Sequence, residues 1–191
     1  MAEENRLLEL IERLGGLIRA AVRACAAEHG LQPVHIEILR YLSRCNRFSD
    51  TPQAIAAYLG TTKGSISQSI QRLEARRLVA KRADPDDRRR VHVRPTAHAR
   101  ELLDACRLPD ALREAAGRLD AELLASTAAV LTRLLRELQL GAGRRTFGQC
   151  RTCRHLQQEG MQYRCGLTGE PLTAPETESI CYEHAPRATG T

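Results

Sequence analysis

A mainly α-helical chain with one small β-hairpin and a cysteine-rich tail is the fold class this sequence predicts, and three observations predict it. Aromatic residues make up 3% of the 191 positions and Trp is absent. The core must therefore come from Leu, Ile, Val and Ala, which favours helices over a sandwich or barrel. Apolar residues recur at three- and four-residue spacing through most of the first 140 positions. Four of the seven cysteines crowd into the last 42 residues.

The length suits one full core and a small satellite rather than two large domains. Apolar content of 42% and charged content of 27% are those of an ordinary globular chain. No stretch approaches the roughly 18 uninterrupted apolar residues of a membrane span. The start, MAEENRLLEL, lacks a basic lead followed by an apolar run. A cytoplasmic protein with reduced thiols is expected, with no membrane partner.

In the first helix, about Glu4 to Glu28, Leu7, Ile11, Leu14, Ile18, Val22 and Cys25 form an apolar stripe. Leu10 and Leu17 widen that stripe, Gly15-Gly16 weakens the centre, and His29-Gly30 ends it. A second helix follows Pro33, with Ile38, Leu42 and Cys45 facing the core, and breaks at Asn46 to Ser49. Asp50 or Thr51 caps a short third helix that stops at Gly60, and Thr61 or Thr62 caps a fourth running to about Arg76. Leu78–Arg82 and Val91–Arg94 read as two strands around the Asp-Pro-Asp-Asp turn. Two more helices are expected, at about 97–106 and 109–138. The second carries Leu119, Leu123, Val130, Leu134 and Leu138. Gly141-Ala142-Gly143 is a hinge, which divides the chain into units 1–140 and 141–191.

Helix, short helix, Gly turn, helix and a basic hairpin form the order of a winged helix-turn-helix, here at 32–97. Residues 61–95 hold ten Lys or Arg against four Asp or Glu, a net of +6 that equals the excess of the whole chain. Anion attraction is therefore concentrated in one segment. At 100° per residue, Ile66, Ile70 and Leu73 share one face of the fourth helix. Gly64, Gln68, Gln71 and Ala75 lie opposite, with Arg72 beside them. Gln offers a paired donor and acceptor to adenine edges, and Arg reaches guanine or phosphate. Thr62, Lys63, Ser65 and Ser67 are candidate phosphate anchors. Arg88, Arg89 and Arg90 stack like charges at the hairpin tip, an arrangement suited to a narrow minor groove. Asp84, Asp86 and Asp87 are placed to orient them.

The segment TTKGSISQSIQRLEARRLVAKRADPDDRRRVHVRPTAHARELL resembles the recognition helix and wing of the multiple-antibiotic-resistance-regulator (MarR) family. The resemblance spans about residues 5–140, and its specific part is Thr62 to Arg90. It implies Ser65, Ser67, Gln68 and Arg72 as reading or anchoring residues. It also implies Asp87 as a wing stabiliser, Arg88 and Arg89 as minor-groove residues, and a homodimer joined by the first and last helices. The sequence departs from the family at Arg77 and Ala99, where a glycine is usual, which puts local turn geometry in question. Two reader helices in a two-fold dimer call for double-stranded DNA with an inverted repeat.

The tail spacing is Cys150-x2-Cys153-x11-Cys165-x15-Cys181, with His184 three residues later. In a reducing compartment such a cluster reads as a metal site. Zinc ribbons usually present two short knuckles, and here the second pair is split. A [4Fe–4S] cluster takes thiolates spread round a larger body. Both metals stay open, with His184 or His155 as a further ligand in the zinc case. The pattern, with Tyr182 beside the last cysteine, is similar to high-potential iron–sulfur protein-like small domains, which implies the cluster. Cys25, Cys45 and Cys106 lie in register with apolar stripes and read as core residues.

The sequence thus predicts a DNA-binding transcription regulator, with repression as the expected mode. Its four-cysteine site reports redox state or metal supply. The competing classes are an electron-transfer or accessory iron–sulfur protein using the helix-turn-helix for docking, and a regulator with a purely structural zinc. The three arginines beside a polar helix argue against the electron carrier. No nucleophile–base pair or phosphate loop suggests an enzyme, and no small-molecule effector is legible.

Overall fold

The computed structural model describes residues 2–85, 87–106 and 110–187. Eight α-helices and five strands are found among them. Helix α1 (Ala2–Glu28) runs unbroken through its glycine pair, but only Val22 and Ala26 at its C-terminal end are buried. Leu7, Leu8, Leu10, Leu14 and Leu17 remain exposed. Helices α2 (Pro33–Leu42), α3 (Pro52–Leu59) and α4 (Lys63–Ala75) form the main core with Leu78, Val93, Ala99 and Leu102. The turn into α4 is made by Gly60 at φ 65°, a left-handed cap that costs glycine no steric clash.

Strands β1 (Val79–Ala83) and β2 (Val91–Pro95) pair antiparallel with Ala83 opposite Val91, which holds the basic tip at the open end of a short ladder. Helix α5 (Ala97–Ala105) follows, capped by Thr96. Ala99 is fully buried within it, so the glycine usual in the family is replaced inside a helix and not in a turn. Arg77, the other departure, adopts φ 57°. A side chain in that region costs about 1–2 kcal/mol, while a glycine adds about 0.4–1 kcal/mol of unfolded-state entropy. Arg77→Gly is therefore expected to raise thermal stability by about 0.5–1 kcal/mol, and a lowered melting temperature would refute that.

The single long helix expected at 109–138 is instead two. Helix α6 (Asp110–Gly117) ends at its glycine, and α7 runs from Ala121 to Gly141. Gly117 weakens helix continuation, and the Asp120 side chain accepts the Leu123 N–H at 2.7 Å, starting α7 afresh. None of the 21 residues of α7 is buried. Among the described residues no helix is long and apolar enough to cross a membrane.

The tail is more ordered than its aperiodic sequence suggests. A 3-10 turn (Cys150–Thr152) leads into a three-stranded antiparallel sheet of β3 (Leu156–Glu159), β4 (Gln162–Cys165) and β5 (Pro171–Leu172), in the order β3-β4-β5. A short helix α8 (Ala174–Thr177) follows. The tail does not stand apart as a satellite. Phe147 is 8% exposed and joins the main core, its ring 5.1 Å from Tyr58 and 5.7 Å from Tyr182, both edge-on.

One expectation about the thiols is overturned. Cys25 and Cys106, read as separate reduced core residues, are joined in a disulfide across 5.4 Å between Cα atoms. The end of α1 and the end of α5 pack on the same side of the core, which brings the two sulfurs together. Cys45 follows its core reading, and burial pushes its thiol up to about 12.

Candidate functional site

Two sites are built on this frame, one basic and one of sulfur. The reader helix α4 begins at Thr62, whose hydroxyl accepts the Ser65 N–H at 3.2 Å and lies 3.0 Å from the Ser65 hydroxyl. Ile66, Ile70 and Leu73 are buried as the helical count requires, and Ser69 joins them. Thr62, Lys63, Ser65, Gln68, Gln71 and Arg72 are exposed. Ser67 is half-buried and returns its hydroxyl proton to the Lys63 carbonyl at 2.9 Å. The guanidinium of Arg72 reaches Gln32 at 3.5 Å, which props it along the helix.

In the wing, Arg88, Arg89 and Arg90 are all exposed. Asp87 Oδ1 accepts from the Arg89 backbone N–H at 3.0 Å and from its Nε at 3.2 Å. Asp84 Oδ1 accepts the Asp87 N–H at 2.9 Å. Asp86 lies outside the described residues. The base of the wing is tied back to the turn between α2 and α3. His92 sits between two carboxylates, its Nδ1 on Asp50 Oδ1 and its Nε2 on Asp84 Oδ2 at 2.9 Å. Asp50 also accepts from Arg94 Nε at 3.4 Å, and its carbonyl receives the Val93 N–H at 2.7 Å.

Burial opposes a charge on His92, but the hydrogen bonds and charges of Asp84 and Asp50 outweigh it and raise the imidazole above its ordinary value. A raised value in the folded state means a contribution to stability that is complete below the unfolded value of about 6.5 and lost as pH rises through the folded one. His92→Gln is accordingly expected to loosen the wing more at about pH 6 than at about pH 9. Amide exchange of β1 and β2 reads this directly, and equal loosening at both would remove the charged bridge.

The sulfur site lies where the tail meets the α2–α3 turn. Cys150, Cys153, Cys165 and Cys181 all line one small, mainly apolar cavity, with Asn46, Phe48, His155, Leu156 and Leu172 among its walls. Cys150, Cys153 and Cys181 are buried and Cys165 is half-exposed. Asn46 Nδ2 donates to Cys150 Sγ at 3.4 Å, and the Ala185 N–H to Cys153 Sγ at 3.5 Å. The Cys150 thiol donates to Cys181, which is thereby pulled below its ordinary value, with Asn46, Ser49 and the Glu183 backbone adding to the effect. Cys150 is raised by the same bond and by burial.

Among the described residues, Cys25, His29 and Cys106 gather ligand atoms within 4.8 Å of one another, but two of them are spent on the disulfide. No three of the four tail sulfurs gather that closely, although Cys150 and Cys181 are hydrogen-bonded neighbours. A tetrahedral zinc with Zn–S of about 2.3 Å needs its sulfurs about 3.8 Å apart. Thiolates round a cubane stand further apart. His184 is unsuited as a ligand here: its Nδ1 meets the Thr146 hydroxyl at 2.7 Å and its Nε2 the Thr152 hydroxyl at 3.0 Å. A Cβ at Gly148 would collide with that ring, so only glycine lets the backbone pass. His155 does line the cavity.

Several of these groups escaped sequence reasoning. Asn46 and Ser49 read only as helix breakers, and Asp50 as a possible cap, although Thr51 takes that role. Asp50 and His92 are 42 positions apart, and no spacing links them. Arg144 is a further case. Its guanidinium lies 3.3 Å from where a Cβ on Gly60 would stand, at the turn into the reader helix. The basic pair just after the hinge was the available signal.

Residues 29–90 match the family model described as MarR family. No curated protein sequence matches the chain. Among solved structures, a MarR family transcriptional regulator from Streptomyces coelicolor in complex with DNA is similar at 24% identity and TM-score 0.57, over 73% of this chain and 89% of that one. A MepR mutant from multidrug-resistant S. aureus is similar at 20% identity and TM-score 0.58, over 70% and 97%. CouR from Rhodococcus jostii, bound to p-coumaroyl-CoA, follows at 23% and 0.53, over 65% and 88%. These likenesses establish a winged-helix fold of the MarR type.

Proposed function

We propose that the chain is a homodimeric transcription regulator of the MarR type that represses from an inverted-repeat operator, and that each protomer holds a [4Fe–4S] cluster on Cys150, Cys153, Cys165 and Cys181. The observation that carries the DNA reading is the exposed polar face of α4 beside a wing whose three arginines stay in solvent. A structural neighbour solved with DNA supports the same use of the fold. The exposed leucines of α1 and α7 support a two-fold partner, since monomers rarely leave such continuous apolar faces open.

One Cys-x2-Cys pair with two lone cysteines, in place of two knuckles, favours the cluster over zinc, and the amide donors at Cys150 and Cys153 suit thiolates that share negative charge with a metal. A bound cluster supplies a redox couple and a scaffold sensitive to oxidants. The chain itself excludes water from three sulfurs and leaves Cys165 as the accessible corner. A second reading, structural zinc with His155 near the site, keeps the DNA function and removes the sensing.

Titration of a fluorescent duplex at several salt concentrations tests the DNA half. Replacing Arg88 and Arg89 with Gln is expected to weaken binding and flatten the log–log salt slope by about 0.9 for each phosphate no longer neutralised. Arg144→Gln is expected to flatten it by about 1 without altering sequence preference. Gln68→Ala is expected to alter preference, by about 1–3 kcal/mol at one base pair. Unchanged slopes and preferences would refute the assignment. Anaerobically purified protein is expected to be brown, with about four irons per chain, and to lose colour when any of the four cysteines becomes Ser. Colourless protein with one zinc per chain would leave the structural reading.

A further inference from the structure

The sulfur site and the wing are connected by two runs of hydrogen bonds joined by the peptide bond between Ser49 and Asp50, and one buried side chain stands at their head. Asn46 is 3% exposed. Its Nδ2 donates to Cys150 Sγ, while its Oδ1 accepts from the Ser49 hydroxyl at 2.7 Å and the Phe48 N–H at 3.2 Å. The Ser49 hydroxyl in turn accepts the Tyr182 N–H at 2.8 Å, next to Cys181. The Ser49 carbonyl is held by the Tyr41 hydroxyl at 2.8 Å. One residue on, Asp50 binds His92 and Val93 of β2, His92 binds Asp84, and Asp84 and Asp87 hold the backbone that presents Arg89.

We propose that Asn46 is the positioning residue through which the state of the four-cysteine centre reaches the wing. This rests on the reading of the centre given above. A carboxamide is a rigid plane, so its donor and acceptor ends move together. A metal-bound thiolate at Cys150 is a strong acceptor and keeps Nδ2 aimed at the sulfur. When an oxidant such as peroxide discharges the cluster and takes two electrons and two protons from the Cys150 and Cys181 thiols, becoming water, the disulfide sulfurs left are poor acceptors. The amide then has no fixed partner on one side, and turning it withdraws Oδ1 from Ser49 and Phe48. Both are buried or half-buried groups, for which a missing partner is costly. The turn carrying Asp50 must readjust, and with it the carboxylate that anchors the base of the wing. The backbone adds a second strand to the same link, since Asn46 N–H donates to the Ile180 carbonyl at 2.9 Å and Ile180 N–H to the Arg44 carbonyl at 2.8 Å. The route therefore runs within one protomer, directly from tail to reading head, and not through the hinge and the dimer helices.

Asn46 also tunes the centre. An N–H donor on a ligating sulfur favours the more reduced, more negative state, so its removal lowers the reduction potential. This gives a readout that a merely structural residue elsewhere in the turn does not move.

The test uses the full chain, purified anaerobically, and a duplex of about 30 base pairs selected from a random pool, long enough for two half-sites one turn apart. Affinity is measured with the centre intact and after oxidative loss. Wild type is expected to show a ratio of about five-fold or more. Asn46→Ala is expected to keep the chromophore, lower its reduction potential and bring the ratio to about one. His92→Gln, which leaves the sulfur environment untouched, is expected to keep both chromophore and potential and still bring the ratio to about one. If Asn46→Ala does not retain the centre, His92→Gln decides. A wild-type ratio retained in the variants that hold the centre overturns the route while leaving the centre in place. Wild-type protein without a chromophore overturns the reading of the centre and this inference with it, and a chromophore with a ratio of one keeps the site but overturns its sensing role and this inference.

Discussion

Phe147→Ala is expected to cost about 3–5 kcal/mol of stability, the range for removing a buried Phe ring. Phe147 is the first tail side chain to enter the main core, where it meets Tyr41, Tyr58 and Tyr182. Part of the cost comes from the edge-to-face pairs, worth about 0.5–1.5 kcal/mol each beyond burial. Its backbone is left-handed at φ 48°, so the ring is held there by packing against local preference. The variant is expected to melt lower and to expose residues 144–187 to limited proteolysis before 33–105. A melting curve like that of wild type would mean that the tail is not anchored by this ring.

Charging the apolar face of α7 is expected to have the largest effect on DNA binding. Leu131, Leu135 and Leu138 are exposed at 43%, 55% and 63%, and none is covered within the chain. Leu135→Asp together with Leu138→Asp is expected to yield monomers by sedimentation. Affinity for a two-half-site duplex is expected to fall by about 10²–10⁴, the loss that follows when two linked sites become one. Because these side chains have little to lose within the protomer, the monomer is expected to stay folded, which circular dichroism checks. A dimer that persists would move the interface elsewhere.

The winged helix was legible because its signals are local. Thr62, Gly60 and the 66–70–73 spacing each act within a turn or two, and the caps and core face follow from them. The break at Asp120 was missed because an apolar stripe continues across it while a single carboxylate restarts the helix. The disulfide between Cys25 and Cys106 spans 81 positions, and both residues fit an apolar stripe equally well. The cysteine spacing pointed to a shared site but not to its wall. Asn46, Ser49 and Phe48 come from the other unit of the chain, and nothing in their neighbourhood marks them as partners of sulfur. His184, close in sequence to Cys181, proved to be held by two threonines instead.

The two feet of the tail lie side by side. Residues 146–150 and 179–184 are bonded to one another through Cys181 N–H to the Gly148 carbonyl at 3.0 Å, Cys150 N–H to the Ser179 carbonyl at 3.3 Å and Thr146 to His184, and to the α2–α3 turn through Tyr182 N–H to Ser49 and Asn46 N–H to Ile180. The segment between them is thus a loop already closed by protein contacts alone. For a free chain of that length, bringing the ends together carries an entropic cost that grows as about 1.5RT ln n. Here the hydrogen bonds between the ends and the packing of Phe147 offset that cost. The same contacts that join the ends also bring Cys150 and Cys181 together. For the sensor proposed above, a loop closed in this way would favour repeated cycles of loss and reloading over a single irreversible response.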